Sequence, residues 1–371
     1  MLPCGQLTMD NPADENALEA LAALCKQRQG QGPSLAHVED RLVAPEGLLR
    51  LLQALQASGC LTNGMLKAGS KMLRAWGGSQ DTMMSPVEGA ACSSGLSADA
   101  GARLGSEVCV LARTPSACAL WKPPGWAVSV GVDHLDTPAL DEADTSGDDA
   151  KTVTAAGPWL QDWIQDHLGS THPVAQNKSA QYGLLHRLDR GTSGVIALAT
   201  THTTFYLGRL EFALGRVLKC YVCICHGRVC PQVQRLGAPL KVIHGAAKHS
   251  IVSPKGSRAL SEVCWSSHLV GLNAERFSLV GVLLHTGRMH QIRCHLGSEG
   301  FPLLGDAQYG SGKSRWPCFF LHAGRLRVRL GDTETLDVAC PLPPGFRAAL
   351  RSVAVTDRQS LAVLWAQWQK C

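Results

Sequence analysis

No apolar run in this sequence of 371 residues approaches the about 18 that a membrane-crossing helix needs, so a helical integral membrane protein is excluded. The first twenty residues hold no Lys or Arg and several acids, which excludes both a positively charged secretory leader and an Arg-rich transit peptide. A complete phosphate-binding loop is missing. Gly310-Ser311-Gly312-Lys313-Ser314 imitates the end of one, but the glycine required five positions before Gly312 is Ala307. No dinucleotide-binding glycine fingerprint is present and no internal repeat, so nothing supports a nucleotide triphosphatase. In the absence of a secretory leader, the 15 scattered cysteines read as reduced thiols of an intracellular protein. Cytoplasm is the default compartment, with an organelle or the nucleus left open.

What is present is enough for a packed core: 45% of residues are apolar and 18% charged. The length corresponds to about two domains. The net charge of +5 hides an asymmetry. Residues 1–180 hold 12 Lys and Arg against 20 Asp and Glu, whereas residues 181–371 hold 23 against 10. A second half with so large a cationic excess points to a polyanionic partner, nucleic acid first.

Along the chain, Pro45 suits a first helical turn, Leu48, Leu51, Leu52 and Leu55 follow at helical spacing, and Gly59 suits the stop. A second helix is predicted over Met65–Trp76, making 1–76 a helical N-terminal segment. Residues 77–105, rich in Gly, Ser and Ala, read as a flexible linker. Residues 106–350 read as one domain. Within it, 131–150 carries Asp133, Asp136, Asp141, Glu142, Asp144, Asp148 and Asp149 with no cation, which reads as a solvated acidic insertion. Residues 351–371 are expected to form a helical tail.

Three stretches carry chemistry. In the first, Leu184-Leu185-His186-Arg187-Leu188-Asp189-Arg190-Gly191-Thr192-Ser193-Gly194 leads into Val195–Ala199, a buried strand. Asp189 is thus expected on a turn beside a rigid strand, with Arg187 and Arg190 as neighbours. Nearby positive charge favours an ionised carboxylate, which suits a nucleophile or a stabiliser of developing positive charge. In the second, Leu207, Leu210 and Leu214 have helical spacing, and Arg216–His226 alternates as a strand. Tyr221, Cys223 and Cys225 share one face, and Cys220, Val222 and Ile224 the other. That alternation separates Cys220 from Cys223 and Cys225, so the local Cys/His cluster does not make a tetrahedral zinc cage. In the third, a strand over Phe277–Leu284 is followed by Thr286, a candidate cap for a helix with Met289, Ile292 and Leu296 on its apolar face. Arg288, His290, Gln291 and Arg293 supply donors at its N-terminal end. His285, His290 and His295, spaced by five, do not align as metal ligands.

These motifs, in this order, resemble the RluA-type RNA pseudouridine synthases. HRLDRGTSG at 186–194 is similar to that family's catalytic motif, and Lys219-Cys220-Tyr221, with Gly227 following, to its Lys-x-Tyr strand. TGRMHQIRCHL at 286–296 and Gly305-Asp306-Ala307-Gln308-Tyr309-Gly310 resemble its later motif. Leu120-Trp121-Lys122-Pro123-Pro124-Gly125 resembles its opening strand and turn, and Leu321-His322-Ala323 with Pro341–Pro344 its closing segment. The likeness spans roughly 105–350.

The resemblance implies an α+β fold: a mixed, mostly antiparallel sheet with flanking helices and a basic catalytic cleft, preceded here by the small helical N-terminal segment. It implies conversion of uridine to pseudouridine in RNA, whether tRNA, rRNA or mRNA. Asp189 is expected to act on the ribose, Tyr221 to pack on the base, Arg293 to pair with Asp189, and Arg187 to fill the gap left by a flipped nucleotide. His186, Arg190, Lys122, Lys219, Arg288 and Gln291 are expected to shape the cleft or hold phosphates. The reaction is an isomerisation, so no cofactor, no metal, no membrane and no obligatory protein partner is implied. In place of the S4-type RNA-binding domain of many members stands the helical segment 15–76. Two rival readings are a non-catalytic RNA-binding or RNA-folding protein that retains the domain, and a hydrolase of the glycosidic bond.

Overall fold

The computed structural model describes residues 45–82, 104–128, 157–310 and 316–353, apart from 58, 60, 231, 233, 245–247, 272–273 and 317. The acidic insertion expected at 131–150, residues 311–314 and most of the expected tail lie outside the described residues.

Strands β1 (Cys109–Arg113), β2 (Ala117–Lys122), β3 (Ser193–Ala199), β4 (Leu218–His226), β5 (Gln234–Leu236), β8 (Ser261–Val270), β9 (Arg276–Leu284), β10 (Leu321–Arg329) and β11 (Thr335–Ala339) form one nine-stranded sheet; β6 (Leu240–Ile243) and β7 (His249–Val252) form a separate hairpin. The order is β1-β2-β3-β10-β4-β9-β8-β5, with β11 also on β10. Every strand pair is antiparallel except β3 with β10, which run parallel through His322↔Ser193 and Ala323↔Gly194. The fold is therefore α+β with a mixed, mostly antiparallel sheet.

The alternation of β4 sorts its residues as expected. Tyr221, Cys223 and Cys225 enter the main core, with the buried strands β2 and β3 and the helices α1 (Pro45–Ala57), α2 (Asn63–Thr82), α3 (Leu160–Leu168) and α4 (His202–Ala213). Cys220, Val222 and Ile224 enter a second core, where Phe346, Ala349 and Leu350 of α6 (Pro344–Val353) pack on them. The short helix α5 (Gln291–Ser298) completes the set.

Two boundaries differ from the sequence reading. Helix α2 continues through Thr82, six residues into the stretch read as linker, and the reason is a docking contact. At Gly77 a Cβ would lie 2.3 Å from Thr203 Cα, so only glycine lets α2 touch the start of α4. One turn on, Asp81 accepts from the His202 N–H (2.7 Å), the Thr203 N–H (3.1 Å) and the Thr203 hydroxyl (2.8 Å). Its carboxylate thus serves the orphan donors and positive dipole end of α4. At the other end of the stretch, Leu104 is buried in the main core. The second difference is Thr286, which does not cap a helix. Its hydroxyl accepts from the Leu260 N–H (2.9 Å) and donates to Gln291 Oε1 (2.7 Å). Helix α5 starts later, after His290 at φ 51°.

Gly194 is where the parallel pair permits nothing larger. Its φ is +129°, and a Cβ would lie 2.2 Å from the Ala323 carbonyl oxygen. Gly194→Ala is expected to cost about 3 kcal/mol or more through strain and overpacking. The comparison is Gly78→Ala, where nothing lies within 4 Å of the added methyl. In urea denaturation Gly78→Ala should leave the midpoint unchanged or raised, while Gly194→Ala lowers it.

Candidate active site

The turn carrying Asp189 is pinned from behind. The Thr192 N–H donates to the Asp189 carbonyl at 3.0 Å, closing the turn before β3. Lys122, at the end of β2, is fully buried, and its Nζ donates to the carbonyls of Pro123 (3.0 Å), Trp126 (2.8 Å) and Arg190 (3.1 Å). The Gly125 N–H adds a bond of 2.8 Å to the same Arg190 carbonyl. This corrects the expectation that Lys122 holds RNA: its charge is spent on three carbonyls that fix the loop. The Arg190 guanidinium lies over the Trp159 ring, 5.8 Å from the centroid, and neither Lys122 nor Arg190 lines the cavity described next.

Eight of the ten expected site residues do line one cavity of about 180 Å³: Asp189, Tyr221, Arg293, His186, Arg187, Lys219, Arg288 and Gln291. Within it their roles diverge. His186 Nε2 accepts the Ala197 N–H at 3.0 Å, and its ring stacks on Phe212 with centroids 4.9 Å apart. Burial, with the charges of Lys219 and Arg209, pushes its pKa down to about 3. A neutral, acceptor-bound imidazole does not hold phosphate, so His186 is structural. Gln291 is held by the protein as well. Its Oε1 accepts from Thr286 and from the Arg288 N–H (2.9 Å), and its Nε2 donates to Ser261 Oγ (2.9 Å). These bonds shape the turn that presents Arg288.

The electrostatic centre is Arg293. Its Nε donates to Asp306 Oδ2 (2.7 Å) and its Nη2 to Asp306 Oδ1 (3.0 Å), a bidentate pair with the Asp306 side chain fully buried. The same Nη2 reaches Gln308 Oε1 at 3.0 Å. Nη1 remains for Asp189 Oδ2, at 3.6 Å. The rings of Phe319 (4.2 Å) and Tyr309 (5.0 Å) pack on the guanidinium carbon. Sequence reasoning named Arg293 as the partner of Asp189 but missed Asp306, which holds Arg293 in place. The signal was available, since Asp306 stands in the Gly305–Gly310 motif.

Burial alone would raise the Asp189 carboxyl pKa. The charges of His290, Arg293 and Arg187 outweigh it, so the pKa falls below the ordinary 3.8. Those three, and not Arg187 with Arg190, supply the positive surroundings. Tyr221 stands on β4 across the cavity lining, and burial plus the Asp189 charge raise its phenol above the ordinary value. The site thus presents an ionised carboxylate, with 21% of its side chain exposed, beside a neutral phenol. Such a pair can meet a developing cation while an aromatic face supports a planar ring. Among the described residues no three His, Cys, Asp or Glu side chains form a metal-holding group; Cys223 and Cys225 touch at 3.7 Å, and Cys220 faces the other core.

Residues 120–298 match the RNA pseudouridylate synthase family. Over 167 residues the chain is 32% identical to an uncharacterized RNA pseudouridine synthase of Zymomonas mobilis, covering 44% of this chain and 74% of that protein. It is 32% identical over 170 residues to an uncharacterized RNA pseudouridine synthase of Bacillus subtilis (45% and 55% covered). It is 28% identical over 200 residues to ribosomal large subunit pseudouridine synthase D of Borreliella burgdorferi (53% and 60% covered). The chain thus spans only 55% and 60% of the length of the last two. The solved structure of human RNA pseudouridylate synthase domain containing 1 aligns over 70% of this chain and 94% of that one, at 20% identity and a TM-score of 0.49.

Removing Asp306 should leave Arg293 buried without its bidentate partner. Asp306→Ala is expected to lower the unfolding free energy by about 3–5 kcal/mol in urea titration. A loss below about 1 kcal/mol would mean that Arg293 is held by its aromatic neighbours alone.

Proposed function

The chain belongs to the RluA-type RNA pseudouridine synthase family, and on that footing we propose that it isomerises uridines in RNA to pseudouridine, with Asp189 acting on the ribose. The observation that carries this reading is the ionised Asp189 carboxylate, facing the cavity and paired with the buried Arg293.

The target base is extruded into the cavity, because a stacked nucleotide hides its sugar and its edge. Tyr221 gives the uracil a surface, and Arg187 at the cavity wall occupies the space that the nucleotide leaves. The bond between N1 of uracil and C1′ of ribose breaks, and its electron pair leaves with the base. Asp189 bonds to, or stabilises, the electron-deficient C1′. The freed uracil turns, and C5 forms the new bond to C1′. The proton on C5 is lost and N1 gains one, so atoms and charge balance without oxidant or energy source. The raised pKa keeps the Tyr221 phenol protonated at neutral pH, so it enters as a neutral group beside the base.

Asp189→Asn preserves shape and removes the charge. Pseudouridine is mapped by carbodiimide treatment and primer extension on total RNA from cells expressing wild type or variant. Sites present with the wild type and absent with Asp189→Asn are expected, and they name the RNA. Identical maps from both soluble proteins would overturn the catalytic reading in favour of RNA binding alone. Release of free uracil would mark a hydrolase.

A further inference from the structure

Two cations that line the cavity are buried without an anion in contact among the described residues. Arg209 of α4 and Lys219 of β4 are each 8% exposed, and both line the cavity. Neither makes a hydrogen bond or an ion pair among the described residues. The charge of Glu46 on α1 acts on Arg209 without contact, and Asp189 in the same cavity is committed to Arg293. The Lys219 ammonium lies over the Phe212 ring, 5.9 Å from its centroid. Other surroundings are repulsive: Arg288 lowers the affinity of Lys219 for its proton. Buried charges in folded proteins are paired or hydrogen-bonded, because desolvation otherwise penalises them. Burial has pushed Lys219 to about 8 and Arg209 to about 10, so both remain protonated at neutral pH. Gln53 of α1 lines the same cavity, and its amide has no hydrogen-bond partner among the described residues.

We infer that Arg209, Lys219 and Gln53 form a binding site for one backbone phosphate of the RNA, adjacent to the target uridine. The inference rests on the RNA reading above and deepens it. A phosphodiester supplies the missing negative charge, the guanidinium fork and the ammonium match its oxygens, and the Gln53 amide adds a neutral donor. The approach is prepared for a polyanion. Residues 212–261 contain eight Lys and Arg and no Asp or Glu. Gln53 lies outside the residues 120–298 shared with the family. The docking of α2 on α4 through Gly77 and Asp81 thus gives the N-terminal helices a purpose: they form one side of this subsite.

The test uses two probes, an oligouridylate pentamer and the same pentamer with the phosphate 5′ of its central uridine replaced by a neutral methylphosphonate. Wild type should bind the neutral analogue about tenfold more weakly. Arg209→Gln should bind both probes alike, at the weak value, and its Tm without RNA should be unchanged or raised because an unpaired buried charge is gone. Equal binding of the two probes by wild type, binding of neither, retained discrimination in Arg209→Gln, or a lowered Tm that marks Arg209 as structural would each overturn the site. Pseudouridine formed by wild type in total RNA, measured separately, distinguishes failure of this subsite from failure of the enzyme reading.

Discussion

Arg293 is buried, and its guanidinium serves two carboxylates at once. The bidentate pair with Asp306 fixes its plane, leaving Nη1 free to face Asp189 at 3.6 Å. Reversing the assignment would fail. A bidentate bond to Asp189 would bury the carboxylate proposed to meet substrate, whereas the side chain of Asp306 is fully buried already and otherwise accepts from the Gln308 and Tyr309 N–H groups of its own turn. Phe319 and Tyr309 exclude water from the guanidinium, which strengthens its field at Asp189. The site therefore depends on a charge pair made for the benefit of a third group.

The fold places the components of that arrangement on separate, rigid pieces. Asp189 precedes β3 and is anchored through Lys122 to the end of β2; Tyr221 projects from β4; Arg293 is on α5; Asp306 is in the turn beyond it. Strand β10, inserted between β3 and β4, sets the distance between the first two. Two of the cation sets on the cavity lining have opposite standing. Arg293 is compensated by Asp306 and Asp189, while Arg209 and Lys219 have no anion in contact among the described residues. The first group is preorganised for chemistry, and the second is complete only with an anionic ligand.

Much of this was legible from sequence, for physical reasons that differ by residue. Period-two alternation separated Tyr221 from Cys220 correctly, because each face of β4 meets its own core. The buried strand after Gly194 was readable from its continuous apolar run, and the strand over Phe277–Leu284 was anticipated as well. Asp189, Tyr221 and Arg293 were named through motif resemblance and do line one cavity. The errors have a common origin in tertiary context. Lys122 was read as a cleft cation, but a strand-end lysine can be buried when three carbonyls converge on it, and nothing local announces that. Thr286 has the composition of a cap, yet Leu260 and Gln291 compete for its hydroxyl. The linker reading failed at Gly77, where a glycine that looked like flexibility is a close approach between helices. Asp306 and Arg209 were passed over because a carboxylate in a turn and an arginine in a helix are ordinary until their partners, or lack of them, are known.

The central claim is that the field of Arg293, with His290 and Arg187, overrides burial and keeps Asp189 ionised. Its folded-state pKa is then depressed, so its contribution to stability is present above the unfolded value and is lost as pH falls through the folded one. The direct measurement is a carboxyl carbon NMR titration of Asp189, assigned by difference from Asp189→Asn. A midpoint below 3.8 is expected, moving upward when Asp306→Asn loosens Arg293. A midpoint above 3.8 in the unaltered protein would contradict it, for burial would then have won over the surrounding charge.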